Sequence, residues 1–283
     1  MAMDALVSTD WLAAELGASD LRVVDASYFL AADQRNPAAE YEAAHIPGAV
    51  FMDLGEIVDP SASLPMMLPS PEKFASRMQS LGLGDGSRIV LYDNSPYKSA
   101  ARAWWMLDQV FGAHGVAILD GGFAKWQAEG RPVESGKPQI RHRHFTVWKN
   151  PKVVRDKAQM LANVESGAEQ VVDARGAARF TGEDPDPRPN VASGHIPASF
   201  NLPHSQMFNA DGTWKQGDAL KAAFESAGID LTRPLVATCG SGLTAASLVF
   251  GAHLLGKEDV ALYDGSWSDW GSDPETPKAM GPA

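Results

Sequence analysis

Leu235-Val236-Ala237-Thr238-Cys239-Gly240-Ser241-Gly242-Leu243-Thr244 runs directly into Ala245-Ala246-Ser247-Leu248-Val249-Phe250. The apolar opening reads as a short buried strand, the two glycines as a tight loop, and the stretch after Thr244 as a helix start. That order surrounds the loop with backbone N–H groups and favours negative charge inside it. Cys239, the only cysteine in 283 residues, stands at the strand end. A lone cysteine is by default a small apolar core side chain. A core cysteine in mid-strand, however, does not need Gly240, Ser241 and Gly242 behind it. The flanking residues point instead to a thiol placed where its thiolate, the nucleophilic form, is favoured.

Working outward, the same pattern occurs twice. Ile89-Val90-Leu91-Tyr92-Asp93-Asn94 aligns with Leu235-Val236-Ala237-Thr238-Cys239-Gly240. Val23-Val24-Asp25-Ala26 recurs as Val171-Val172-Asp173-Ala174, and His45-Ile46-Pro47-Gly48-Ala49 as His195-Ile196-Pro197-Ala198-Ser199. Leu119-Asp120-Gly121-Gly122-Phe123 with Trp126 matches Tyr263-Asp264-Gly265-Ser266-Trp267 with Trp270. Taken in chain order, these four matches have offsets of 148, 150, 146 and 144 residues, which means two copies of one domain rather than a short-repeat solenoid. We expect a first domain over 1–137, a linker over 138–152 and a second domain over 153–283.

Within the first copy, Ser8 or Thr9 caps a helix carrying Trp11, Leu12 and Leu16 and stopped by Gly17. The strand Leu21–Asp25 follows. Residues 31–70, rich in Pro, Asp, Gly and Ser, read as loop with short pieces of structure. A helix over Pro71–Leu81 ends at Gly82. Arg88–Tyr92 is a strand, Ala100–Phe111 a helix, Val116–Leu119 a strand and Phe123–Gln127 a short helix. Alternating β and α elements with uniformly apolar strands predict an α/β fold: two tandem domains, each a mostly parallel sheet flanked by helices on both faces. The linker segment Arg141-His142-Arg143-His144 reads as one solvated face of an extended chain. The tail after Asp273 is Pro- and Gly-rich and is expected to fray.

Composition narrows the function. The chain is 45% hydrophobic and 21% charged, ordinary for a globular protein. Its net charge of −11 argues against nucleic acid and anionic membrane surfaces as partners. Any anion site must rely on locally placed arginines. One cysteine excludes an internal disulfide and fits a reducing compartment. Met1-Ala2-Met3-Asp4-Ala5-Leu6 carries no basic region ahead of an apolar run, and no stretch approaches the roughly 18 apolar residues of a membrane span. The expectation is a cytoplasmic protein.

The duplicated His-Ile-Pro turns, the Asp173-Ala174-Arg175 strand end, Tyr263-Asp264-Gly265-Ser266-Trp267 and the Cys239-Gly240-Ser241-Gly242-Leu243-Thr244-Ala245 loop resemble the rhodanese superfamily. More narrowly, they resemble its two-domain 3-mercaptopyruvate sulfurtransferases, over about Leu6 to Gly271. Thiosulfate-preferring members typically place Arg and Lys after the cysteine, where this chain has Gly240 and Ser241. The resemblance therefore implies mercaptopyruvate as sulfur donor. It implies Cys239 as the persulfide-forming nucleophile, Ser241 as a hydrogen-bond donor to sulfur, and Gly240, Gly242, Leu243 and Thr244 as the substrate loop, with Thr244 capping the helix start. It also implies Arg179 and Arg188 as the substrate-carboxylate pair, matched in Ala178-Arg179-Phe180 and Pro185-Asp186-Pro187-Arg188. From spacing alone these arginines read as surface residues pairing with Glu183, Asp184 or Asp186. Guanidinium forks nonetheless suit a carboxylate in a fixed orientation.

No metal and no organic cofactor is implied. The implied partners are a small anionic donor and a thiol acceptor such as a thioredoxin-like protein, or cyanide in an assay. Gly55 and Met66 stand where many relatives place an acidic residue and a His, and neither can move a proton. Asp93 holds the cysteine's place in the first copy and cannot form a persulfide, so that copy is structural. Arg175 is given no role, and His45 and His195 read as fold-stabilising. Three other functions stay open. One is a thiosulfate sulfurtransferase, and another is a non-catalytic sulfur carrier. The third is a cysteine phosphatase, disfavoured because its loop needs an arginine six residues past the cysteine, where Ala245 stands.

Overall fold

A computed structural model describes residues 3–282 of the chain. The chain divides into two compact units. One takes in the residues through Asp59, Leu68–Asn150 and Ala210–Trp214; the other takes in Pro60–Met67, Pro151–Asn209 and the remainder from Lys215.

In the first unit the order is β1 (Leu6–Val7), α1 (Thr9–Glu15), β2 (Leu21–Asp25), α2 (Pro37–Ala43), β3 (Val50–Phe51), α3 (Pro71–Ser80), β4 (Arg88–Tyr92), α4 (Ala100–Trp104), β5 (Val116–Leu119) and α5 (Gly122–Ala128). The second unit runs β6 (Val154–Arg155), α6 (Lys157–Ser166), β7 (Gln170–Asp173), α7 (Ala177–Thr181), β8 (Phe200–Asn201), α8 (Gly217–Ser226), β9 (Leu235–Thr238), α9 (Ala245–Leu254), β10 (Val260–Tyr263) and α10 (Ser266–Trp270). Among the described residues the strands form two five-stranded sheets, ordered β1-β5-β4-β2-β3 and β6-β10-β9-β7-β8. All pairings are parallel, with Asp25 beside Tyr92 in one sheet and Asp173 beside Thr238 in the other. The duplication read from the sequence is therefore a duplication of topology.

Every residue of β5, β7, β9 and β10 is buried. That uniform burial is the reason for apolar runs without alternation: a parallel sheet is covered on both faces. Trp104, Trp105, Trp126, Trp267 and Trp270 are buried, as expected of core residues. In this topology β9 is the central strand, and the chain leaves it towards β10 on one side while β7 leads to β8 on the other. The carboxyl end of β9 lies at this reversal of strand order, where open α/β sheets form crevices. Cys239 is the first residue past it.

The stretch over 31–70 is loop with short pieces of structure, as expected, among them α2 and β3. Asn36 caps α2 by accepting a hydrogen bond from Ala39 N, and Pro37 occupies the first turn, where its missing N–H costs nothing. The helix expected over Ala100–Phe111 is α-helical only to Trp104 and continues as a π-helix over Trp105–Val110. The stretch is buried continuously from Ala100 to Leu107, across the change from α to π. The tail does not fray. Ala279 and His195 exchange backbone hydrogen bonds of 2.9 Å, and Trp270 Nε1 donates to Pro277 O at 2.7 Å. Among the described residues no helix is long and apolar enough to cross a membrane.

Candidate active site

The loop after β9 is clasped by the first turn of α10. Cys239 N donates to Ser266 Oγ at 3.2 Å, and Ser266 Oγ donates to Tyr263 O at 2.8 Å. Trp267 N reaches Cys239 O at 3.0 Å, and Ser268 N reaches Gly240 O at 2.9 Å. The Tyr263-Asp264-Gly265-Ser266-Trp267 motif thus acts through its Ser and Trp on the cysteine backbone. Ser266 adopts φ 51°, a left-handed conformation costly for a residue with a Cβ. Its counterpart Gly122 adopts φ 59°, and a Cβ there would lie 2.5 Å from Asp93 O. The second copy thus places a strained serine where the first has glycine, and gains two hydrogen bonds beside Cys239.

Cys239 is only 1% exposed. Ser241 is half-buried, Gly242 and Leu243 are buried, and Gly242 takes φ 76°, which suits glycine. In the first copy Asp93 occupies the cysteine position. Ser95 N donates to Asp93 Oδ1 at 3.0 Å and Ala100 N to Oδ2 at 2.8 Å. This loop geometry therefore accommodates an anion, as a carboxylate demonstrates in the same protein. Burial still pushes the Asp93 carboxyl up, with Lys98 and the two amides opposing. Thr244 does not cap α9: it is already in the right-handed helical region and its side chain makes no capping bond. A cap needs an extended backbone to turn its oxygen towards the N–H groups of the first turn.

Arg179 lies on α7, and Arg188 on the segment that follows. Between them Asp186, with a side chain 1% exposed, binds both. Arg188 Nε donates to Asp186 Oδ1 at 2.7 Å, Arg188 Nη2 to Oδ2 at 2.8 Å, and Arg179 Nη2 to Oδ2 at 2.7 Å. Burial opposes ionisation of Asp186, yet the bonds from Arg188 and Arg179 hold it down at about 2. Arg188 Nη1 also donates to Gly240 O at 2.7 Å and to Ser268 Oγ. A Cβ on Gly240 would stand 3.4 Å from Arg188 Nη2 and 3.7 Å from Arg179 Nη2. Both guanidinium groups therefore converge on the residue next to Cys239. Their side chains remain 33% and 28% exposed. Pairing with Asp186 and proximity to the loop hold together; Glu183 and Asp184 are not the partners.

The supports were less visible in the sequence. Arg175, given no role, forms a buried ion pair with Asp173 at 2.7 Å, donates to Gly194 O at 2.7 Å and lies 4.5 Å from the Trp267 ring centroid. It braces the strand end against α10. His195 Nδ1 pairs with Phe180 O at 2.9 Å and its ring stacks on Phe180, next to Arg179, while His45 pairs with Tyr41 in the same way. Both histidines are structural, as expected. Gly55 N donates to Asp53 Oδ1 at 2.9 Å, and Met66 is buried at φ 62°. Neither offers a proton-transfer group. Among the described residues no three or more His, Cys, Asp or Glu side chains group as metal ligands.

The rhodanese-like domain family matches residues 8–129 and 156–273. A mouse 3-mercaptopyruvate sulfurtransferase is 41% identical over 272 residues, covering 94% of this chain and 91% of that protein. A bovine thiosulfate sulfurtransferase is also 41% identical, over 281 residues, with 96% and 94% covered. The crystal structure of SseA from Escherichia coli, described with the rhodanese fold and mechanism of 3-mercaptopyruvate sulfotransferases, superimposes with a TM-score of 0.85 at 37% identity, covering 94% of this chain and 99% of that one. Two tandem domain matches and relatives of this similarity across nearly the whole length establish that the protein belongs to the rhodanese family.

Proposed function

We propose that the protein is a sulfurtransferase that moves sulfur from 3-mercaptopyruvate, through a Cys239 persulfide, to a thiol acceptor or cyanide, releasing pyruvate. The observation that carries this reading is the pair of guanidinium groups held on Asp186 beside Gly240. They suit the carboxylate of a short α-keto acid whose thiol then lies towards Cys239. The Cys239 thiolate attacks the donor sulfur. The S–S bond forms as the C–S bond breaks, and the electron pair departs on carbon as the pyruvate enolate. The donor's thiol proton balances the enolate, so no external acid is required and Ser241 serves only as a hydrogen-bond donor. An acceptor thiolate then attacks the outer sulfur and regenerates the Cys239 thiolate. With Cys239 1% exposed, the reacting sulfur is kept from bulk water.

In this reading residues 153–283 carry the chemistry, 138–152 join the copies and 1–137 form a non-catalytic copy. Gly242, Leu243 and Thr244 complete the donor loop, and the acceptor is a small thiol or a thioredoxin-like protein in the cytoplasm. The equal identity of the bovine thiosulfate sulfurtransferase favours a second donor, thiosulfate. Relative kcat/KM on the two donors decides between them, and the absence of basic residues at 240 and 241 predicts that mercaptopyruvate wins. Mass spectrometry after mixing with mercaptopyruvate tests the reading itself. The expected result is a gain of one sulfur with pyruvate release, both lost in Cys239→Ser. Pyruvate release no greater than that of the variant would leave a binding protein.

A further inference from the structure

We infer that Asp186 is a positioning residue that fixes both the spacing and the net charge of the two-guanidinium site, and so selects a monoanionic carboxylate over a dianion. One carboxylate, sealed from water, joins the two arginines, with Oδ2 accepting from both at 2.7 and 2.8 Å and Oδ1 accepting from Arg188 Nε at 2.7 Å and from Arg188 N at 3.0 Å. The guanidinium planes cannot separate without breaking a buried, charge-assisted hydrogen bond. With Cys239 as the thiol, two positive groups and one negative group leave the site a single net positive charge. The nearby Asp173–Arg175 pair cancels itself.

The donors left over are unequal. Arg188 spends Nε and Nη2 on Asp186 and Nη1 on Gly240 O and Ser268 Oγ. Arg179 gives Asp186 only Nη2, and its Nε is buried with no acceptor. Arg179 is thus the principal ligand-facing fork, and Arg188 ties the ligand site to the cysteine loop. One carboxylate matches one net charge and the remaining donors. A sulfate or thiosulfate dianion enters with one negative charge in excess, and a partly buried site with few mobile ions does not screen it.

The kinetic part of this inference rests on the sulfur-transfer reading, but the binding part does not. Pyruvate and sulfate serve as monoanionic and dianionic probes, titrated by calorimetry into the full chain and into Asp186→Asn and Asp186→Glu. Asp186→Asn should raise the sulfate-to-pyruvate affinity ratio on the order of tenfold. Asp186→Glu keeps the charge and should weaken both probes while leaving the ratio near that of wild type. A parallel loss of both probes in Asp186→Asn, with the ratio unchanged, would reduce Asp186 to a structural brace and overturn the inference. Should Asp186→Asn lose its cooperative melt, Arg179→Gln tests the same charge count, because it lowers the net charge by one and must move the ratio the opposite way. Thiosulfate-to-mercaptopyruvate kcat/KM should follow the binding ratio. A wild-type protein that forms no persulfide from mercaptopyruvate would refute the proposed function while the probe ratios still decide the role of Asp186.

Discussion

Ser266 concentrates the local cost of the site in one residue. It pays for a left-handed backbone with a hydroxyl that accepts from Cys239 N and donates to Tyr263 O. Ser266→Gly removes the strain and the hydroxyl together, whereas Ser266→Ala keeps the strain and leaves a buried N–H unpaired. Ala should therefore destabilise by about 2 kcal/mol and Gly by less, in urea unfolding. An alanine variant as stable as wild type would show that the hydroxyl does not hold the loop. The arginines are predicted to split kinetically. Arg179→Lys should chiefly raise KM for mercaptopyruvate, because it loses ligand-facing donors. Arg188→Lys should also lower kcat, because it loses the planar bridge from Asp186 to Gly240 O. Identical kinetic effects would refute the asymmetry. Cys239, Arg179 and Arg188 were legible in the sequence, the arginines only through family resemblance. Ser266 and Asp186 were not singled out, because their meaning depends on a backbone angle and on burial, which no spacing displays.

Two strand ends show how one element tolerates different chemistry. β2 ends in Asp25 and β7 in Asp173, and in each case the N–H two residues on donates to the carboxylate at 2.9 Å. Asp173 has Arg175, whereas Asp25 has Ser27 in that place. Without an ion-pair partner, burial raises the Asp25 carboxyl to about 6, with Ser27 and Tyr92 opposing. An unfolded Asp titrates near ~4. Between those values the native state holds a proton that the unfolded state has lost, so this group makes stability fall as pH rises from about 4 to about 6. Asp25→Asn removes that dependence. The variant should gain on wild type across that window by up to about 3 kcal/mol, read by denaturant unfolding at pH 4 and pH 7. A constant difference between the two proteins would show that Asp25 is not the titrating group. β2, β4 and β5 were readable to the residue, because continuous apolar runs leave little room for another register. α2 carried a start signal in Asn36-Pro37 that its polar surroundings obscured. The π-helix over Trp105–Val110 leaves no mark in a helical periodicity, which records apolar spacing and not the hydrogen-bond register.

At the scale of the molecule, one fold occurs twice and carries one thiol. The first copy keeps the loop but closes it on Asp93, and by the repeat offsets it has Ala31 and Ala38 where the second copy has Arg179 and Arg188. Asp93→Cys is therefore predicted to leave the chain at one transferable sulfur after mercaptopyruvate treatment; a mass gain of two sulfurs would show that the loop alone suffices. The sequence by itself determined the duplication, the parallel α/β class and the place of Cys239 at a strand end. Apolar runs, turn residues and repeated motifs are local and survive in one dimension. Tertiary structure decided the rest. It brought Arg179 and Arg188 onto one buried carboxylate beside Gly240, turned Arg175 from a residue without a role into a brace, left Thr244 without a capping role and tied down the tail. Each of those outcomes depends on which distant groups share a dehydrated space, where an ion pair or an unpaired N–H weighs far more than it does along an extended chain in water.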